Sequence, residues 1–279
     1  MDTLAPKLSF QQMNCLYQNK DDTADAYFQF DESGQVKRLS AHKIILAAGS
    51  SVFKAMFYGD PKEEGDVEIV DAASTAFGMF LQTIYQMHGN IDMENVGEVM
   101  RLADKYECNG VMQICASYLH PQVNVNNVCW VLDFALKYSF QKLEQCCAIM
   151  ATLQPVGVLQ SDAFAEMDHS ALVHVLQLVE NLLSQKIIFG SCIKWAKKSC
   201  EKQLIEATPG NLRIELGGSF SSIDFKQMSL GIFVEIQRLH PFFSFEEYVN
   251  IFEGIANAEK QRNQKEEIDD FDFSPSEFE

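Results

Sequence analysis

His42 and Lys43 stand together in LSAHKIILAAGSSVFKAMFYGD, residues 39–60, at the head of two short and very apolar stretches hinged at GSS. An imidazole there could act as general base to a nucleophile, which makes the pair the first place to look for catalysis. No Ser, Cys or acid sits in a nucleophile motif beside it, and the chain has no Gly-rich phosphate loop, H-E-x-x-H pair or nucleophile elbow. His120, His169, His174 and His240 are isolated in the sequence. Cys146 and Cys147 are neighbours, but adjacent residues point about 100° apart on a helix, so no metal-ligand set converges. The acids of DPKEEGDVE read as solvated loop charges. We therefore expect neither enzymatic activity nor a metal or cofactor, and His42 reads as a structural residue.

The elements around His42 are legible from their punctuation. Ser40 is placed to cap a helix that Gly49 stops, and Ser50 or Ser51 caps a second helix whose apolar residues Val52, Phe53, Met56 and Phe57 run to Gly59. This is a helical hairpin, with His42 in its first turn. Before it, Ala24, Ala26, Phe28 and Phe30 alternate with polar residues, and DESG leads into QVKRL, so a β-hairpin is expected. VEIV at 67–70 supplies a third strand. Ser9 and Gln12 form a capping box for an N-terminal helix with Phe10, Met13, Leu16 and Tyr17 on one face. Later faces follow helical spacing: Phe77, Phe80, Leu81, Ile84; Val96, Val99, Met100, Ala103; Val111, Met112, Cys115, Leu119.

With 279 residues and 47% hydrophobic content, the chain can fill two cores of ordinary size. Its net charge of −17 repels phosphate backbones and anionic lipid, so direct nucleic-acid and membrane contacts are disfavoured and protein partners favoured. No apolar run reaches the roughly 18 residues of a membrane span, and the first residues do not resemble a signal peptide. A cytoplasmic protein is expected, with the nucleus as a second compartment. Most of the eight cysteines fall in apolar helical patterns without any C-x2-C spacing, and read as buried reduced thiols. The expected divisions are an extension at 1–7, a mixed strand and helix segment at 8–121, helices at 122–257, and an acidic disordered tail at 258–279.

ADAYFQF resembles the D-x-x-F strand, and LSAHKIILAAGSSVFKAMFYGD the A-H-K…L-A…S-x-x-F-x-x-M-F signature, of the BTB/POZ domain. The likeness continues from VEIV at 67 through LADKYEC to CASYL at 119, similar to the A-x-K-Y…C-x-x-Y-L pattern of that domain's second half. Downstream, NVNNVCWVLDFALKYSFQKLEQCC, IIFGSCIKWAKKSC and IDFKQMSLGIF resemble segments of the BACK domain. Asp224 stands where the last of these usually has Arg, and Gln227 near where Pro is expected. The resemblance implies an α+β, mostly α chain: a BTB/POZ domain with a small β-sheet flanked by helices, then an all-α BACK domain. Similar proteins continue into a β-rich PHR domain, which is not expected here.

What the resemblance implies for function is a homodimeric adaptor that holds cullin-3, the scaffold of a RING-type ubiquitin ligase, together with a substrate protein. An apolar face on a short helix is unstable alone, so Phe10, Met13, Leu16 and Tyr17 are expected at the dimer interface. The expected cullin-binding residues are Phe53, Met56, Tyr58, Pro61, Glu63 and Tyr106. In cullin-binding relatives the loop after the MFYGD helix carries an apolar-x-Glu triplet, for which this chain offers Pro61, Lys62 and Glu63. Two rival readings keep the fold: a POZ dimer that binds corepressor peptides, and a stand-alone dimeric scaffold without cullin binding. In the tail, Phe271, Phe273 and Phe278 alternate with acids, and Ser274 and Ser276 resemble kinase acceptors, which reads as a short linear docking motif.

Overall fold

The computed structural model describes residues 10–86 and 91–271. The chain divides into two compact units, Met1–Gln122 and Val123–Glu279.

In the first unit, helices α1 (Phe10–Gln18) and α2 (Lys20–Thr23) lead into strands β1 (Ala26–Glu32) and β2 (Gln35–Ala41). Ser33 and Gly34 both take positive φ, 56° and 80°, as a type I′ turn demands, and Gly34 N–H donates to Asp31 Oδ1 at 3.1 Å. The helical hairpin follows as α3 (Lys43–Gly49) and α4 (Ser51–Tyr58), then β3 (Val67–Glu68), α5 (Ser74–Gln86), α6 (Val96–Lys105), α7 (Asn109–Leu119) and a 3-10 turn at His120–Gln122. The sheet order is β2-β1-β3, with Phe28 opposite Leu39 in the antiparallel pair and opposite Val67 in the parallel one.

Strand alternation places Ala26, Phe28 and Phe30 inward. There they meet Phe53 and Phe57 of α4 and Phe77 and Phe80 of α5, with Phe28 and Phe77 ring centroids 4.8 Å apart. Two local expectations need correction. Ser40 is not the helix cap: it belongs to β2, its hydroxyl donates to the Asp21 carboxylate, and His42 is the residue before α3. The strand at VEIV shortens to two residues, Val67 and Glu68, with Ile69 N–H still donating to Gln29 C=O at 2.9 Å and Val70 85% exposed.

The second unit is helical throughout its described residues: α8 (Val128–Lys137), α9 (Gln141–Leu153), α10 (Pro155–Gln160), α11 (Asp162–Glu166), α12 (His169–Val179), α13 (Gln185–Lys202), α14 (Pro209–Leu216), α15 (Gly218–Ser221), a 3-10 turn at Phe225–Gln227, α16 (Leu230–Leu239) and α17 (Phe245–Phe271). Phe189, Phe220, Phe225, Phe233, Phe242 and Phe243 form its aromatic core. Asp224 has a local use: its carboxylate accepts from Lys226 N–H and from Gln227 Nε2, closing the 3-10 turn.

Helix α17 also corrects the expected tail. It continues beyond 257 to Phe271, and Glu259 accepts from Leu230 N–H at 3.1 Å. ANAEKQRNQKEE is made of good helix formers with no Gly or Pro, so a stretch without apolar periodicity still carries the helix on.

One turn recurs at three helix ends. Glu107, Ser139 and Leu204 take φ of 49°, 57° and 59°, and in each case the next N–H reaches back to the carbonyl five residues earlier: Cys108 to Ala103, Phe140 to Ala135, Ile205 to Cys200. This is the Schellman closure, with a side chain where glycine is usual.

Candidate protein-interaction surface

His42 is 7% exposed, and both ring nitrogens are engaged. Tyr85 Oη accepts from His42 backbone N–H at 2.7 Å and is hydrogen-bonded to Nδ1 at 2.8 Å, while Nε2 is hydrogen-bonded to Thr23 Oγ1 at 2.7 Å. The imidazole thus pins α2, α3 and α5 together. Burial pushes the Tyr85 phenol up to about 12. The network is a structural tie between these three elements.

The GSS hinge is a clasp. Ser50 Oγ accepts from Phe53 N–H at 3.0 Å, capping α4, and its hydroxyl donates to Tyr106 C=O. Ser51 donates to the Glu107 carboxylate. These bonds hold the head of α4 against the turn between α6 and α7. Beside the clasp lies an open cleft of about 550 Å³, with Ala47, Ala48, Gly49, Lys54, Ile84 and Gly110 among its lining residues.

The residues expected to meet cullin-3 separate into two groups. Phe53 and Tyr106 are 0% and 2% exposed and stack 4.4 Å apart in the core, so neither ring is available to a partner. The reason is the clasp, which draws the Tyr106 segment inward over α4. Met56 is half-buried, while Tyr58, Pro61 and Glu63 are exposed. Glu63 N–H donates to Met56 C=O at 2.8 Å, folding the loop that carries Pro61 and Glu63 back on the end of α4. The loop is anchored at its far side by Asp66, which takes Arg38 Nε at 2.7 Å and Gln29 at 2.6 Å, while the guanidinium lies 3.6 Å from the Tyr27 ring centre. Sequence reading missed this anchor, because no local pattern connects Arg38 with Asp66.

The expected dimer residues are partly covered within their own chain. Tyr17 donates to Gly78 C=O at 3.4 Å, and its ring lies 5.3 Å from that of Tyr85, so this residue packs α1 on α5. Met13 and Leu16 are half-buried beside it. The side chains of Phe10 and Phe271, and all of Phe273, Ser274, Ser276 and Phe278, lie outside the described residues.

Among the described residues no group of His, Cys, Asp or Glu could hold a metal ion, and no helix is long and apolar enough to cross a membrane. Five thiols are unreactive by position: burial pushes Cys108 up to about 11 and Cys115, Cys129, Cys147 and Cys192 to about 12.

Comparison with known domains finds a BTB/POZ domain at residues 13–123. The mouse BTB/POZ domain-containing protein 6 is 28% identical over 253 residues, covering 90% of this chain and 47% of the relative. The human protein of that name is 27% identical over 255 residues, 91% of this chain and 47% of the relative. Human BTB/POZ domain-containing protein 3 is 27% identical over 253 residues, 90% and 48% respectively. The chain spans about half the length of these curated relatives. The strands, helical hairpin and clasp described above fall within the stretch that matches the BTB/POZ domain.

Proposed function

We propose that the protein is a non-enzymatic, dimeric BTB adaptor for cullin-3, that its second unit is a BACK domain, and that it presents a substrate protein to a ubiquitin ligase in the cytoplasm. The observation that supports this best is the edge at the end of α4 and its folded-back loop, which carry Met56, Tyr58, Pro61 and Glu63. An exposed aromatic and an acid sit on a backbone fixed by the Phe53–Tyr106 stack beneath, which is the anchor-and-rim arrangement of a protein interface. Half-buried Met13 and Leu16 on α1 are the self-association surface in this reading. Binding of cullin-3 to Tyr58→Ala and Glu63→Ala variants tests it: each weakens association at least tenfold, and unchanged affinity in both removes the edge from the interface.

The cleft of about 550 Å³ favours a second reading, a POZ-type corepressor-binding protein whose peptide lies along α3 and α7. Ala48→Arg would then abolish peptide binding while leaving cullin-3 binding unchanged.

A further inference from the structure

Helix α9 is apolar on two sides. Leu143, Cys147 and Ala151 are buried and pack it into the second unit. Beside them Cys146, Ile149, Met150 and Leu153 recur at i, i+3, i+4 and i+7, the spacing of a single helical stripe. Ile149 and Leu153 are 59% and 72% exposed, and Cys146 and Met150 are half-buried. Single apolar side chains on a surface are ordinary, but a continuous row of them marks a contact face. Residues 145–161 carry no charged side chain, although charged residues make up 22% of the chain.

The chain carries its own control for this row. The hairpin of α6 and α7 and that of α8 and α9 align without a gap at a separation of 32 residues, which pairs Ala103 with Ala135, Tyr106 with Tyr138 and Cys115 with Cys147. In the first hairpin the place of Ile149 belongs to Ser117, which is exposed and donates to Gln113 C=O of its own helix at 2.8 Å. The place of Leu153 belongs to Pro121, also exposed. The hairpin therefore closes without an apolar helix residue at either position. Helix propensity does not call for Ile149 either, since β-branched side chains are among the weaker helix formers. Ile149 and Leu153 thus serve neither the closure of the hairpin nor its helicity.

We propose that the α9 stripe is a docking surface for an amphipathic helix of another protein, one whose apolar face is unbroken by charge and whose polar face is basic. The spacing and the lack of charge set the first property: a row at i, i+3, i+4 and i+7 interdigitates with a matching row on a second helix, and a charge on that row would be desolvated without a counter-ion. The net charge of −17 sets the second, because basic groups on the outer face are drawn to the protein, whereas an anionic lipid surface is repelled. Size decides against a second copy: four side chains on one helix fall far short of the roughly 20–30 residues a side of a stable interface between globular chains, and suit one helical segment. The probe is a fluorescent peptide of about 18 residues, long enough to be helical, with leucine at this spacing and lysine elsewhere, titrated with the full-length chain and followed by anisotropy. The variants are an Ile149→Ser/Leu153→Ser double and, as control, Leu204→Ser, which removes a leucine 94% exposed at the end of α13. The expected results are micromolar binding to the parent and to L204S, at least tenfold weaker binding to the double variant, weaker binding of a peptide with glutamate in place of lysine, and melting temperatures of both variants within about 2 °C of the parent. Absence of binding to the parent, equal binding to the double variant, equal binding of the glutamate peptide, or a double variant that melts far lower overturns the proposal.

Discussion

Tyr106 and Tyr58 are both tyrosines near one surface, yet substitution should read them differently. Tyr106 is 2% exposed and stacked on Phe53, so Tyr106→Ala leaves a cavity and costs about 3–5 kcal/mol, seen as a large fall in melting temperature. Tyr58 is 55% exposed, and Tyr58→Ala should stay within about 0.5 kcal/mol of the parent. Equal losses in both would contradict the division into core and edge. From sequence alone the two looked alike, because an aromatic flanked by acids fits an interface and a core equally well. What distinguishes them is the contact of Tyr106 C=O with Ser50, a long-range bond that no spacing encodes. A second residue-scale prediction concerns Asp133. Burial raises its carboxyl from 3.8 to about 7, outweighing the N–H of Asp168 that both oxygens accept at 3.2 Å, and the Asp168 charge adds to the rise. The folded state therefore holds this proton more tightly than the unfolded state does. Its contribution to stability is full below 3.8 and is lost as pH rises through about 7. Asp133→Asn keeps an acceptor for Asp168 and removes the charge, so thermal unfolding above pH 7 should shift upward and its dependence over that window flatten. A steeper dependence would contradict the assignment.

The recurrent helix-end turn is the clearest feature at the scale of elements. Asn95-Val96…Ala103-Asp104-Lys105-Tyr106 and Asn127-Val128…Ala135-Leu136-Lys137-Tyr138 share their types at every position but Asp104 and Leu136, and the bonds repeat with them. Asp92 N–H and Asn124 N–H each donate to the side chain of the asparagine three residues on. Each lysine lies over the following tyrosine ring, at 5.3 and 4.7 Å. The helices themselves were evident from their apolar spacing; the turn was not, because the usual signal is glycine and here Glu107 and Ser139 occupy the left-handed position. That conformation costs a side-chain-bearing residue about 1–2 kcal/mol, against roughly 0.5–1 kcal/mol of extra backbone entropy for glycine. Ser139 is exposed, so Ser139→Gly should stabilise by about 0.5–1 kcal/mol in denaturant titration. Glu107→Gly should gain less, since it also loses the acceptor of Ser51. Destabilisation by Ser139→Gly would show that its side chain does more than the backbone geometry indicates. The clasp between α4 and the α6–α7 turn was half legible: Ser50 was recognisable as a cap, but its second role as a donor to Tyr106 depends on tertiary contact.

At the scale of the whole molecule, the account rests on the stretch at residues 13–123 that matches the BTB/POZ domain, within a chain of net charge −17. The sequence conveyed the strands, the helical hairpin and the helical second unit because each carries its own periodicity. It did not convey how far α1 is covered by α5, since Tyr17 and Gly78 lie 61 residues apart in the chain. In the proposed function, Met13 and Leu16 are therefore the residues assigned to self-association. Replacing both with Asp should separate the protomers, because burying a charge there adds a desolvation cost to lost contacts of about 1.5–3 kcal/mol per side chain. A dimer that survives the change would exclude this face of α1. The most direct test of the central claim is light scattering on the purified full-length chain, alone and mixed with cullin-3. The account predicts twice the chain mass for the protein alone, and a complex of two chains with two cullin-3 molecules in the mixture; a monomer that stays separate from cullin-3 at micromolar concentration would contradict it.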